Sequence, residues 1–172
     1  MSTSQNHWPA LAADSKLLHT WLFPDGTTLR LRNGSAGFLL CHMALWFDHE
    51  IEDLKEPVLD DWGYAYRPVR GYTSTLSNHS SGTAEDLNAT DHPLGVEHTF
   101  KPMEVAAIHK RLELYEGTIR WGGDYVGRKD AMHFEIDAPL PHCERVARRL
   151  LTTPRGKRLL HLNEGQKAVI LS

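Results

Sequence analysis

Two histidines and one aspartate stand in short polar motifs that could hold a metal. His79 and Asp86 belong to Ser77-Asn78-His79-Ser80-Ser81-Gly82-Thr83-Ala84-Glu85-Asp86, and His133 ends Asp130-Ala131-Met132-His133. Two imidazoles and a carboxylate are the donor set of a catalytic zinc centre, in which three protein ligands leave the fourth position open. Taken singly, each has a plainer reading as a surface aspartate or a packed histidine, and in a chain with eleven histidines a lone one says little. The joint pattern is what counts, and it predicts one zinc ion per chain held by His79, Asp86 and His133. Asp130 would fall on the opposite face from His133 in a continuous strand. The chain must therefore bend near Ala131, as the glycine-rich run Trp121 to Gly127 allows. A carboxylate beside the metal but not bonded to it suits a general base, taking a proton from the attacking water and returning it to the leaving amine. Glu135 competes for that role and ranks below Asp130, as a residue behind the ligand or at the surface.

The elements that must position these residues follow from periodicity. Thr83 to Asn88 and His133 to Asp137 read as strands carrying the ligands, with Phe134 and Ile136 turned to the core. Gly63 to Val69 reads as a third strand, presenting Arg67 on the face of Gly63 and Ala65. Glu85 shares a face with Leu87, where an unpaired carboxylate is costly, so that face is open or Glu85 has a basic partner. Thr27 to Arg32 reads as an edge strand turned by Asn33-Gly34. From Ser35, residues Leu39, Met43, Trp46, Phe47, Ile51 and Leu54 recur at helical spacing up to Pro57. A second helix follows Pro102 and ends at Gly117, and a third carries Val146, Leu150 and Leu151 before a break at Pro154. Strands interspersed irregularly with helices indicate an α+β fold, helices packed on an antiparallel or mixed sheet.

The chain of 172 residues has room for one domain, expected over residues 1–172, with residues 1–20 a loose N-terminal arm. A net charge of -3 gives no electrostatic reason to expect nucleic acid or an anionic membrane, and no run of apolar residues approaches a membrane span. Cys41 and Cys143 are too few for a disulfide framework and lack metal spacing, so both read as reduced thiols. The first residues lack the pattern of an export signal, which predicts synthesis in the cytoplasm. A monomer is expected.

Ala65-Tyr66-Arg67-Pro68, Ser77-x-His79-x-x-Gly82-x-Ala84-x-Asp86 and Asp130-x-x-His133 resemble the zinc D-Ala-D-Ala carboxypeptidase and dipeptidase family, which includes bacteriophage L-alanyl-D-glutamate endolysins. The Trp121-Gly122-Gly123-Asp124 loop and an Asp at position 130 look most like the endolysin branch. The resemblance implies zinc on His79, Asp86 and His133, Asp130 as base, and Arg67 holding the substrate or stabilising the oxyanion. Ser77 and Trp121 are expected as further substrate contacts. It also implies a small α+β domain of the kind shared with the hedgehog signalling domain, and a peptidoglycan stem peptide as substrate. The bond is expected to be L-Ala-D-Glu, with D-Ala-D-Ala carboxypeptidase activity as the alternative. Host-cell synthesis followed by action on the cell wall is implied as well. A hedgehog-like module that binds zinc without catalysis would have no use for Asp130. An iron oxygenase, which also uses two histidines and a carboxylate, normally spaces them differently from His79 and Asp86. A structural zinc site would need a fourth protein ligand.

Overall fold

The computed structural model describes residues 2–172. A long helix, α1 (Gly34–Glu50), runs through the middle and is buried on nearly every side, from Gly34 through Leu45 and again at Phe47. A helix that is apolar all round belongs inside a protein rather than on its surface. On one side it packs against the C-terminal helices α3 (Leu140–Leu150), α4 (Pro154–Leu162) and α5 (Gln166–Leu171). On the other it meets two small antiparallel sheets, so the α+β reading holds.

The first sheet is a hairpin of β1 (Leu18–Leu22) and β2 (Thr28–Arg32), with Trp21, Leu29 and Leu31 buried. Its turn is set by Asp25, whose Oδ1 accepts from the Thr27 amide and hydroxyl at 2.9 and 2.8 Å. The expected edge strand is β2, and its partner β1 lies partly in the segment expected to be a loose arm. Met1 of that arm lies outside the described residues. The rest is tied down: Ser4, Trp8 and Leu11 are buried, and the Leu11 amide donates to Ser80 O at 2.8 Å.

The second sheet carries Asp86 and His133. Its order is β3 (Ala84–Asp86), β5 (His133–Ile136), β4 (Ile119–Trp121), with Asp86 opposite His133, Glu85 opposite Phe134 and Trp121 opposite Phe134. Phe134 is fully buried, stacked on Trp121 and edge-on to Phe47 of α1, which fixes β5 to the central helix. Removing that ring would cost about 3–5 kcal/mol. Helix α2 (Pro102–Leu112), continued by a tight turn at Glu113–Tyr115, buries Ile108 in the core and sets His109 edge-on to Trp121 of β4, and Gly117 follows at φ 77°.

The predicted strand over Gly63 to Val69 is not regular. Among the described residues the segment has a single isolated bridge, Pro68 with Leu76, and a second, Trp62 with Asp86, lies just ahead of it. Pro68 has no amide to donate, and Gly63 lies so close to the backbone that any Cβ there would stand 2.3 Å from Arg30 O. The strands at 84–86 and 133–136 are shorter than expected, because Asn88 turns at φ 47° and Asp137 is already past the last pair.

Candidate metal centre

His79 sits in a single tight helical turn, Asn78–Ser81, between two local stops. Ser77 Oγ accepts from the His79 amide at 3.4 Å, and Gly82 closes the turn at φ 68° with its amide donating to His79 O. Asp86 and His133 come from directly opposed positions of β3 and β5. One candidate ligand atom from each of the three residues lies within 4.8 Å of the others, and all three side chains are buried.

The protons on the two rings are fixed by their outer partners. His79 Nδ1 lies 2.6 Å from Gly63 O, and a carbonyl can only accept, so Nδ1 carries the proton and Nε2 offers its lone pair 3.2 Å from Asp86 Oδ1. His133 Nε2 lies 3.0 Å from the Glu135 carboxylate, while its Nδ1 lies 2.7 Å from the same Asp86 oxygen. Two imidazole nitrogens and a carboxylate oxygen thus converge, with the outer N–H of each ring engaged by a protein acceptor. This arrangement is typical of metal-bound histidine. The cluster demands positive charge. Burial alone would push the His133 imidazolium down, yet the Asp86 and Glu135 carboxylates overcome it and raise its pKa to about 10. Burial likewise works to raise the Asp86 carboxyl, and the flanking imidazoles hold it well below the usual range. The buried three-donor set with outer acceptors fits zinc.

Asp130 reaches the same cleft by the expected bend. Its amide donates to Gly122 O and its carbonyl accepts from the His133 amide, both at 3.0 Å. Gly122 has to be glycine for this approach, since a Cβ would stand 2.3 Å from Asp130 O. Burial lifts the Asp130 carboxyl above its usual range, and its Oδ1 is buried with no hydrogen-bond partner. An acceptor in that condition, in a cleft with the ligands, is free to take a proton.

The cleft, about 830 Å³, is lined by His79, Asp86 and His133 together with Asp130, Arg67, Ser77 and Trp121. Arg67 is held by its backbone, whose amide donates to Ser80 Oγ at 3.0 Å, while among the described residues its guanidinium makes only a 3.4 Å contact to Pro68 O. Ser77 is 5 % exposed and serves the His79 turn. Trp121 is bolted in place by Nε1 donating to Ala131 O at 2.7 Å and divides this cleft from a neighbouring cavity of about 650 Å³.

Sequence reading left Glu135 and Glu85 undecided and missed two features of the site, the Gly63 acceptor and Arg128. Glu135 is no surface residue: it is 1 % exposed and accepts from His133, from Arg120 Nε at 2.8 Å, from Tyr125 Oη at 2.7 Å and from Asn78 Nδ2. Gly63 provides the acceptor for His79. Arg70 and Arg128 line the cleft and, among the described residues, neither is in an ion pair; Arg128 Nη2 donates to Arg70 O at 3.0 Å. Glu85 is neither open nor paired, being wholly buried with both oxygens unpartnered.

A family profile described as D-alanyl-D-alanine carboxypeptidase matches residues 70–136. No curated protein and no solved structure matches the chain. The matched segment is well under half of the sequence and begins just after Arg67, yet it contains His79, Asp86, Asp130 and His133. Over the stretch that builds the buried metal-binding cluster, the chain is similar to the D-alanyl-D-alanine carboxypeptidases.

Proposed function

We propose that this chain is a zinc-dependent peptidase of peptidoglycan stem peptides, cutting L-Ala-D-Glu in the manner of a phage endolysin. The observation that carries the reading is the convergence of two imidazole nitrogens and the Asp86 carboxylate beside an unpartnered Asp130 oxygen. His79 Nε2, Asp86 and His133 Nδ1 would hold the ion, one per chain. Bound there, zinc supplies Lewis acidity, polarising the scissile carbonyl and making water acidic enough to attack near neutral pH. Asp130 accepts the proton of the attacking water and delivers it to the departing amine. Arg67, whose guanidinium is uncommitted, binds the carboxylate adjoining the scissile bond through its planar pair of donors. A non-catalytic hedgehog-like module has no use for the unpartnered Asp130 oxygen.

The family match names the D-Ala-D-Ala carboxypeptidases, and Arg67 would suit the terminal carboxylate of that substrate equally. The lining of the cleft favours an internal bond, since Arg70 and Arg128 join Arg67 there, more cations than a terminal dipeptide requires. Digestion of purified peptidoglycan with zinc-loaded protein, read by mass spectrometry of the new ends, tests the reading. New L-Ala carboxyl ends and D-Glu amino ends are expected. Release of D-Ala alone would establish the carboxypeptidase instead, and the absence of new ends would overturn both.

A further inference from the structure

Residues 4–8 form a strap against the turn that carries His79 and the end of the strand that carries His133. Asn6 is its anchor: Nδ2 donates to Thr83 Oγ1 and to Ile136 O, both at 2.8 Å, and Oδ1 accepts from the Ser4 hydroxyl at 2.6 Å. One side chain thereby joins the residue before β3 to the end of β5. Around it, Ser4 Oγ meets Ser81 Oγ at 2.8 Å, the Gln5 amide donates to Leu76 O at 3.1 Å, and Trp8 Nε1 donates to Ala138 O at 3.1 Å.

The strap also touches the machinery of the site. The Asn6 backbone amide donates to Asn78 Oδ1 at 2.9 Å. A backbone N–H can only donate, so this contact settles which end of the Asn78 amide faces the strap and obliges Nδ2 to face the other way. There it donates to Glu135 Oε2, the same oxygen that accepts from His133 Nε2 at 3.0 Å. A flipped amide would put an oxygen against the Glu135 carboxylate, two acceptors with no proton between them. Asn78 and Glu135 are each 1 % exposed, so water has little access to substitute for a lost partner.

We propose that the N-terminal strap positions the metal ligand His133, acting through the chain Asn6 N–H, Asn78, Glu135, His133. Asn6, Asn78 and Glu135 are positioning residues: they hold the imidazole at the angle that presents Nδ1 beside Asp86. The inference rests on the reading of His79, Asp86 and His133 as metal ligands. It adds that residues over 70 positions upstream of His79 in sequence are part of the same site.

The test measures zinc affinity of the full chain by chelator competition, the visible spectrum of the cobalt(II)-substituted protein, and melting of the metal-free protein. Asn78→Ala is expected to weaken zinc binding about 10–100-fold, the usual consequence of losing an outer hydrogen bond to a ligand. Asn6→Ala is expected to act in the same direction by loosening the anchor, and both should shift the cobalt bands. In the double variant, zinc affinity should fall no further than in Asn78→Ala, because the chain is already cut, while metal-free melting falls again. Wild-type zinc affinity and cobalt spectra in both single variants would overturn the proposal, as would fully independent effects on zinc affinity. If Asn78→Ala does not fold, an unshifted cobalt spectrum in Asn6→Ala is the overturning result. Failure of the wild-type chain to bind zinc or cobalt would instead overturn the metal reading beneath it.

Discussion

Glu85 and Glu135 lie on adjacent strands of one sheet and are both buried, at 0 % and 1 % exposure, yet their surroundings are opposite. Glu135 faces the site and is met by His133, Asn78, Arg120 and Tyr125. Burial works to raise its carboxyl, but the bonds from His133 and Tyr125 and the Arg120 charge prevail and bring it down to about 2. Glu85 faces the core and, among the described residues, has no donor for either oxygen. There burial prevails and, with the Asp61 and Asp86 charges adding to it, the carboxyl is raised well above its ordinary value. Depth is the same in both places. What differs is whether donors went in with the acid, and they did so only on the face of His133.

That contrast can be broken most forcefully on the site face. Asp86→Ala should lose bound zinc and hydrolysis together, as chelation does in the wild type, with zinc restoring only the wild type. Metal analysis beside a turnover assay checks this, and full occupancy in the variant would remove Asp86 from the ligand set. Asp130→Asn preserves shape and should keep its zinc while the turnover number drops about 10²–10⁴-fold, the range for a lost general base. Loss of zinc from that variant would mark Asp130 as a ligand.

A subtler change sharpens the comparison. Glu135→Gln keeps the volume but removes the charge that answers Arg120 and His133, and zinc affinity should fall about 10-fold or more in chelator competition. Unchanged affinity would mean that the carboxylate does not act on the ligand. The smallest effect belongs to the core face. Glu85→Ile should stabilise the metal-free protein by about 0.5–2 kcal/mol at neutral pH, as removal of a desolvation cost does. The sign follows from linkage. The folded chain keeps a proton on Glu85 that the unfolded chain, at its ordinary value of 4.5, gives up, so Glu85 costs progressively more as pH rises above 4.5. The gain from isoleucine should therefore shrink as pH falls toward 4.5, and a lower melting temperature at neutral pH would count against it.

The clustering of the candidate ligands was legible because His79 and Asp86 lie in one short motif and His133 stands at a strand start, where residue type and spacing are local signals. The bend at Asp130 was legible for the same reason, from the glycines ahead of it. The strap left no such trace. Asn6 is held by Asn78, Thr83 and Ile136, 72 to 130 positions away, and a polar segment fixed by distant hydrogen bonds reads locally as unpatterned. β1 was hidden beside it. Gly63 to Val69 misled in the other direction: its alternation is that of a strand, but Gly63 is pressed against Arg30 and Pro68 lacks an amide, so a ladder cannot propagate. Glu135 was placed between two roles because a carboxylate two positions from a ligand shares its face, and only the fold shows the donors that surround it.

The direct opposition of Asp86 and His133 carries a consequence for the order of folding. The two residues are 47 positions apart, with α2 and β4 in between, so the pocket for an ion does not exist until that long loop has closed and β5 has docked on β3. A metal captured there arrives after most of the chain has found its place. Contacts made so late leave the rate of folding largely unchanged and act on the return journey. Zinc in this site would thus serve as a kinetic lock, lengthening the lifetime of the assembled sheet without hastening its assembly.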